Sequence, residues 1–214
     1  MPTQAIINHC AESELCPRIQ VKRFPVIRKI KTPATLEWIE ALMAECPPHL
    51  AGLALFMFLT GARVSEALRL QWSDIDLKAR TALIRESKVG SERKAHLPPS
   101  LLVAVANIKQ EKGCAVFRYT TKAAADKSWR AAIKRAGIER LSFHSCRHGF
   151  ATALLQAGID PVTVSKLGGW KTPQHVFQTY GHASDDATLT DRIDTKGAQG
   201  VVEGGRKPYK TGLT

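Results

Sequence analysis

Six residues spread through the middle of the chain are of types that suit chemistry on phosphorus. They are Arg63 in TGARVSEAL, Lys88 in RESKVGSERKAHLP, His144 and Arg147 in FHSCRHGFAT, Trp170 in KLGGWKTP and Tyr180 in FQTYGHA. Planar guanidiniums hold the non-bridging oxygens of a phosphate as forks. A lysine can protonate a leaving oxygen, a histidine can shuttle a proton, and a tyrosine can attack phosphorus. Together they make a site for metal-free phosphodiester cleavage. No pair among them is decisive, because an HxxR spacing arises by chance; the ordered set carries the signal.

Each residue also has a plainer reading. Arg63 and Glu66 are three apart, so on a helix they share a face and form an ordinary surface pair; alternatively Arg63 clamps a phosphate and Glu66 orients it. Lys88 falls at a candidate β-turn, where lysines are common, and Arg93 and Lys94 compete with it. His144 and Arg147 share a face at the start of a helix that Ser142 is placed to cap, where the partial positive charge of the helix end favours a phosphate. His148 competes for the histidine role. Trp170 suits a core aromatic as well as an indole N–H donor, and an indole cannot shuttle protons.

At these motifs the chain resembles the tyrosine recombinase (phage integrase) family over residues 32–194. TGARVSE is similar to its first-arginine motif, HSCRH to its HxxR box, and LGGWK followed by TYGHA to the segment ending at its nucleophile. The resemblance implies Arg63, Lys88, His144, Arg147, Trp170 and Tyr180 as catalytic residues, with Glu66 supporting them. Many members have histidine where Trp170 stands. The stretch from Trp170 to Tyr180 is one residue longer than usual, so His175 is the alternative. Tyr119 has no family counterpart and Tyr209 lies in a Gly-rich tail, whereas Tyr180 follows the HxxR box and precedes Gly181-His182.

The implied reaction is transesterification of double-stranded DNA through a 3′-phosphotyrosyl link, with Arg63, Arg147 and Lys88 supplying the cationic field that activates the phenol. It needs neither ATP nor metal, and no cofactor is expected. The implied function is site-specific recombination or integration, with self-association on DNA through the C-terminal segment. A type IB topoisomerase and a DNA-binding protein that no longer cuts are the other readings. The resemblance covers the family's catalytic domain only. Members usually carry a helical core-binding domain before it, so the expectation is a fragment or a shortened protein that binds DNA weakly by itself.

Composition agrees with such a partner. The 214 residues carry a net charge of +12 and the pI is about 9.7, which suits a polyanion. Cys10, Cys16, Cys46, Cys114 and Cys146 are odd in number and irregular in spacing, so they read as thiols in a reducing compartment. The longest apolar run, 50–59, is too short to span a bilayer. No signal-peptide pattern opens the chain, and a cytoplasmic location is expected.

These residues need a scaffold. Residues 1–32 read as a basic leader, 33–194 as the catalytic domain, and 195–214 as a flexible basic tail. Thr32-Pro33 starts a helix, Pro47-Pro48 breaks it, and a second, strongly apolar helix runs to about Thr60, followed by a short one from Arg63 to Leu70. Residues 81–85 and 93–97 form a hairpin with Lys88 near its turn. Further helices fall at about 99–111, 121–136, 144–156, 160–168, 173–179 and 184–192, with stops at Gly137, Gly158 and Gly168. The fold expected is mainly α with a small antiparallel β-sheet.

Overall fold

A computed structural model describes residues 2–20, 32–85, 92–108 and 115–180. Lys88, the leader's basic stretch at 21–31, Cys114, the expected helix at 184–192 and the tail lie outside them. The fold is mainly α-helical with one small antiparallel sheet, as the sequence implied.

Helix α3 (Pro48–Thr60) is the axis. It is apolar on every side, and such a helix must be wrapped by others. Leu50, Leu53, Phe56 and Met57 are fully buried. Around it pack α2 (Leu36–Ala44), α5 (Pro99–Ala106), α6 (Lys122–Ala136) and α7 (Phe143–Gln156). Trp129 of α6 lies between Trp38 and Phe143, with ring centroids 5.7 and 4.4 Å away. This is the main core. A smaller apolar cluster joins α7 to α8 (Pro161–Gly168) and α9 (Pro173–Tyr180) through Ala151, Val164 and Val176, with Trp170 and Tyr180 against it. α7 therefore belongs to both cores.

The expected hairpin is present as β2 (Thr81–Arg85) and β3 (Glu92–His96). A third strand beyond the expected hairpin, β1 (Ile75–Asp76), pairs antiparallel with β2, giving the order β1-β2-β3. Two residues are too few to show a period. In the β2–β3 register Ala82 faces Ala95 and Ile84 faces Arg93. Ala82, Ile84 and Ala95 are buried, so Arg93 shares the inward face.

Two boundaries differ from expectation. The helix placed at Thr32-Pro33 begins at Leu36, with Thr35 as its cap and its hydroxyl accepting from the Trp38 amide at 3.2 Å. The preceding residues are held instead against α7, where the Ala34 amide donates to the Ser145 carbonyl at 2.9 Å. α8 runs through Gly168 and stops at Gly169, which has φ +67°. Gly137 and Gly158 have the expected left-handed backbone. Within residues 1–32, a helix α1 (Pro2–Glu12) precedes Pro17.

Candidate active site

The site forms where three chain reversals meet: the end of α3, the end of α8, and the start of α7. Gly61 closes α3 at φ +65° and Gly169 closes α8 at φ +67°. Both conformations favour glycine, and a Cβ on Gly61 would lie 2.7 Å from the Phe150 ring. These turns aim backbone carbonyls at Arg147. Its Nη1 donates to the carbonyls of Gly61 and Gly168, the latter at 2.6 Å, and its Nη2 to Gly169 at 3.4 Å. Arg147 is only 2% exposed, and its guanidinium carbon sits 3.7 Å from the Trp170 ring centroid. Burial, then Arg63 and Arg93, push its pKa down, while Glu66 opposes them. Three of the five N–H donors of a guanidinium are engaged by carbonyls. Two remain, enough for one fork on a phosphate.

Arg63 is not inside a helix, as its spacing to Glu66 had suggested. It is the N-cap of a single turn, α4 (Val64–Ala67), with extended backbone. Its pairing with Glu66 holds all the same: Arg63 Nη1 lies 2.5 Å from Glu66 Oε1, and the Arg63 amide donates to Oε2 at 2.9 Å. Arg63 Nη2 also donates to the Gly169 carbonyl at 3.4 Å, so both arginines converge on one carbonyl. The Glu66 side chain is 4% exposed against 39% for Arg63. Glu66 is thus a buried anchor and Arg63 presents to solvent.

His144 is exposed at the start of α7 and His148 is buried, with their rings 4.5 Å apart edge to face. His148 in turn lies 5.1 Å from the Tyr180 ring. Of the two competing histidines, the exposed one faces a cavity of about 570 Å³ that Arg63, Arg147, Ser142 and Lys122 also line. The buried one packs against the tyrosine. Ser142 is the N-cap of α7, but its side chain makes no capping hydrogen bond.

Trp170 lies between Phe150, 6.3 Å away and nearly parallel, and Tyr180, 6.2 Å away and edge-on. His175 is exposed on α9, whereas Trp170 is stacked on Arg147. Tyr180 ends α9, with its ring against His148 and Trp170. Its pKa is pushed up to about 12 by burial, with Arg147 opposing. Desolvation of the phenolate outweighs the opposing charge of Arg147. The structure thus brings together Arg63, Glu66, His144, Arg147, Trp170 and Tyr180. Lys88 lies outside the described residues, and Tyr119 is elsewhere, 5.1 Å from His49.

Arg93, seen in the sequence only as a competitor of Lys88, is part of the cluster. Its side chain is 14% exposed and its Nη2 is 3.7 Å from Glu66 Oε2. The signal was its phase: in a period-two strand Arg93 falls with Ala95, on the buried face.

The phage integrase family model matches residues 35–187. The chain belongs to the phage integrase family. It is 31% identical over 171 residues to the integrase of Salmonella phage P22, covering 69% of this chain and 44% of that protein. Tyrosine recombinase XerA of Pyrococcus furiosus is 27% identical, with 71% of this chain and 52% of that protein covered. The chain thus spans about half the length of these curated relatives. In three dimensions it is similar to the catalytic domain of bacteriophage HP1 integrase, with a TM-score of 0.61 and 21% identity over 78% of this chain and 95% of that one. It is also similar to the XerH site-specific recombinase bound to difH substrate in a pre-cleavage complex, with a TM-score of 0.67 and 20% identity over 90% and 63%. At these identities the structural likeness shows the integrase catalytic fold. Among the described residues, no three His, Cys, Asp or Glu group as a metal site, and no helix is long and apolar enough to cross a membrane.

Proposed function

We propose that this chain is the catalytic domain, over residues 33–194, of a site-specific DNA recombinase or integrase that breaks and rejoins double-stranded DNA through Tyr180. The observation that carries this reading is the convergence of Tyr180, Trp170 and Arg147 in a member of the integrase family: the phenol packs against the indole on which the Arg147 guanidinium stacks.

In the proposed reaction the Tyr180 oxygen attacks a DNA phosphorus. The P–O5′ bond breaks, a 3′-phosphotyrosyl bond forms, and a 5′-hydroxyl leaves after taking a proton from Lys88. Arg63 and Arg147 hold the non-bridging oxygens, and their charge stabilises the phosphorane more than the diester. His144, at the open edge, moves the phenol's proton. A phenol held near pKa 12 needs that help, or the field of the bound site, to react at neutral pH. A 5′-hydroxyl of a second strand then reverses the reaction. The bond energy stays in the phosphotyrosine, so the exchange calls for no ATP.

Double-stranded DNA is the proposed partner, supported by the charge of +12 and by the DNA-bound state of the related XerH structure. Self-association on DNA through the segment after Tyr180 is also proposed, in a cytoplasmic setting. Val162, Leu167 and Phe177 expose apolar surface on α8 and α9.

The test is covalent capture. The chain is incubated with a randomised pool of nicked duplexes and run on a denaturing gel. An adduct in the wild type that Tyr180→Phe abolishes and Tyr209→Phe retains supports the reading. An adduct that survives Tyr180→Phe refutes it. Strand exchange between two copies of a selected site separates a recombinase from a topoisomerase.

A further inference from the structure

Arg93 reaches the site from the sheet. On β3 it lies opposite Ile84 on the inward face, and its long side chain runs past the end of α8. A Cβ at Gly169 would stand 2.7 Å from its Nε, so the glycine leaves the channel through which the arginine passes. Its Nη1 donates to two carbonyls, Leu167 at 3.0 Å and Thr60 at 3.3 Å. Those residues are next to Gly168 and Gly61, whose carbonyls hold Arg147. One arginine therefore clamps the same two helix ends from the sheet side that the other clamps from α7.

The electrostatics point the same way. The buried Glu66 carboxylate has Arg63 on one side and Arg93 on the other, at 2.5 and 3.7 Å. A carboxylate paired with Arg63 alone would cancel most of the charge that Arg63 can offer a phosphate. With Arg93 sharing it, three guanidiniums and one carboxylate leave two net positive charges facing the site. A phosphorane in mid-reaction carries two negative charges. Without Arg93 this group of described residues would carry one net positive charge instead of two.

We propose that Arg93 is a positioning residue of the phosphoryl-transfer site: it shares the Glu66 carboxylate so that Arg63 keeps its charge for the scissile phosphate, and it fixes the helix ends that aim Arg147. The inference rests on the transesterification reading above. It concerns a residue that touches Glu66 and backbone carbonyls, not the phosphate.

The experiment compares wild type, Arg93→Gln, Arg93→Lys, Glu66→Gln and the Arg93→Gln/Glu66→Gln double variant. Each is measured for adduct formation on the nicked randomised duplex pool, for affinity to the same pool, and for thermal melting. Arg93→Gln lowers the adduct rate by about tenfold or more while affinity changes by less than about threefold, the signature of lost transition-state stabilisation. Arg93→Lys, which keeps the charge but not the fork, recovers part of that rate. Because Arg93 acts through Glu66, the double variant is no slower than the slower single variant; residues in one network couple in this way. Multiplying losses, or parallel losses of rate and affinity, would reduce Arg93 to a structural or general DNA contact and overturn the proposal. A wild-type rate in Arg93→Gln would overturn it alone and leave the reaction standing. If the wild type itself forms no adduct, the transesterification reading fails and the inference falls with it. Melting curves identify any variant whose loss is unfolding, and in that case Arg93→Lys decides.

Discussion

The two arginines expected to act alike on phosphate are built into the fold very differently, and Arg147→Ala separates the two roles. The Arg147 side chain is buried and donates to the carbonyls of Gly61, Gly168 and Gly169. A buried acceptor left without its donor costs about 1–3 kcal/mol. The bond to Gly169, at 3.4 Å, is long and counts for little. Loss of the guanidinium from the face of Trp170 adds roughly 1 kcal/mol. Against these stands the relief of desolvating a cation beside Arg63 and Arg93, and water can enter from the cavity at the start of α7. The lower half of the range is then the fair figure, about 3 kcal/mol. For a domain of this size each kcal/mol moves the melting temperature by about 2–4 °C, so Arg147→Ala should melt on the order of 10 °C below wild type. Arg63 has a 39% exposed side chain, and its buried partner Glu66 keeps Arg93 at 3.7 Å when Arg63 is lost; the Arg63 pair then contributes no more than about 1 kcal/mol, so Arg63→Ala should shift the melt by no more than about 4 °C. Both variants should lower the adduct rate by about 10²-fold or more, as for loss of a preorganised donor. Arg147→Lys serves as the rate probe should the alanine variant be too unstable. Circular dichroism melts of the three variants beside wild type decide the matter. An Arg147→Ala protein melting within about 2 °C of wild type, or an equal fall in Arg63→Ala, would show that the carbonyl bonds do not hold the site together.

Three further outcomes are expected. Burial raises the Tyr180 pKa from 10.0 to about 12, so the neutral phenol is favoured in the folded state; its contribution to stability is complete below about pH 10 and is lost as pH rises towards 12. Urea midpoints measured across that window should fall more steeply for wild type than for Tyr180→Phe, and identical slopes would contradict the burial. Adduct formation should persist in EDTA, since the proposed chemistry uses cationic side chains; loss with chelator and return with Mg²⁺ would place it in another class. DNA affinity should drop steeply with salt and vary little among unrelated duplexes, because a charge of +12 binds by releasing counterions. A gel-shift titration that finds tight binding to one sequence at physiological salt would reverse this expectation.

Much of the fold was legible because strong local signals agreed with tertiary context. The apolar run of α3, the helices placed at about 121–136 and 160–168, and the β-branched stretch of β2 each mark an element that the structure contains. Thr121 and Asp160 accept from amides three residues on. Misplaced boundaries trace to long-range contacts. The start of α2 is shifted because Ala34 bonds to Ser145, an event more than a hundred residues away. The end of α8 is shifted because Gly168 and Gly169 both suit a helix stop, and the left-handed turn falls at Gly169, where a Cβ would meet Arg93. Ser142 shows the converse: a good cap residue whose hydroxyl caps nothing.

The candidate site was legible as a list of residues but not as an electrostatic arrangement. A motif says that two arginines and a tyrosine occur in order. It does not say that Arg147 is already occupied by glycine carbonyls, or that Tyr180 rests on a small apolar cluster, where burial outweighs the opposing charge of Arg147. Both facts come from the ends of α3 and α8 meeting the start of α7. A polar residue on an inward strand phase was the one available hint of the third arginine. The usual rule that charge means surface hides Arg93, whereas strand periodicity puts it beside Ala95 and so among buried groups. A buried guanidinium needs acceptors and a counter-charge. Here the two helix ends supply the acceptors and Glu66 supplies the charge, so the position of Arg93 follows from the same carboxylate that orients Arg63.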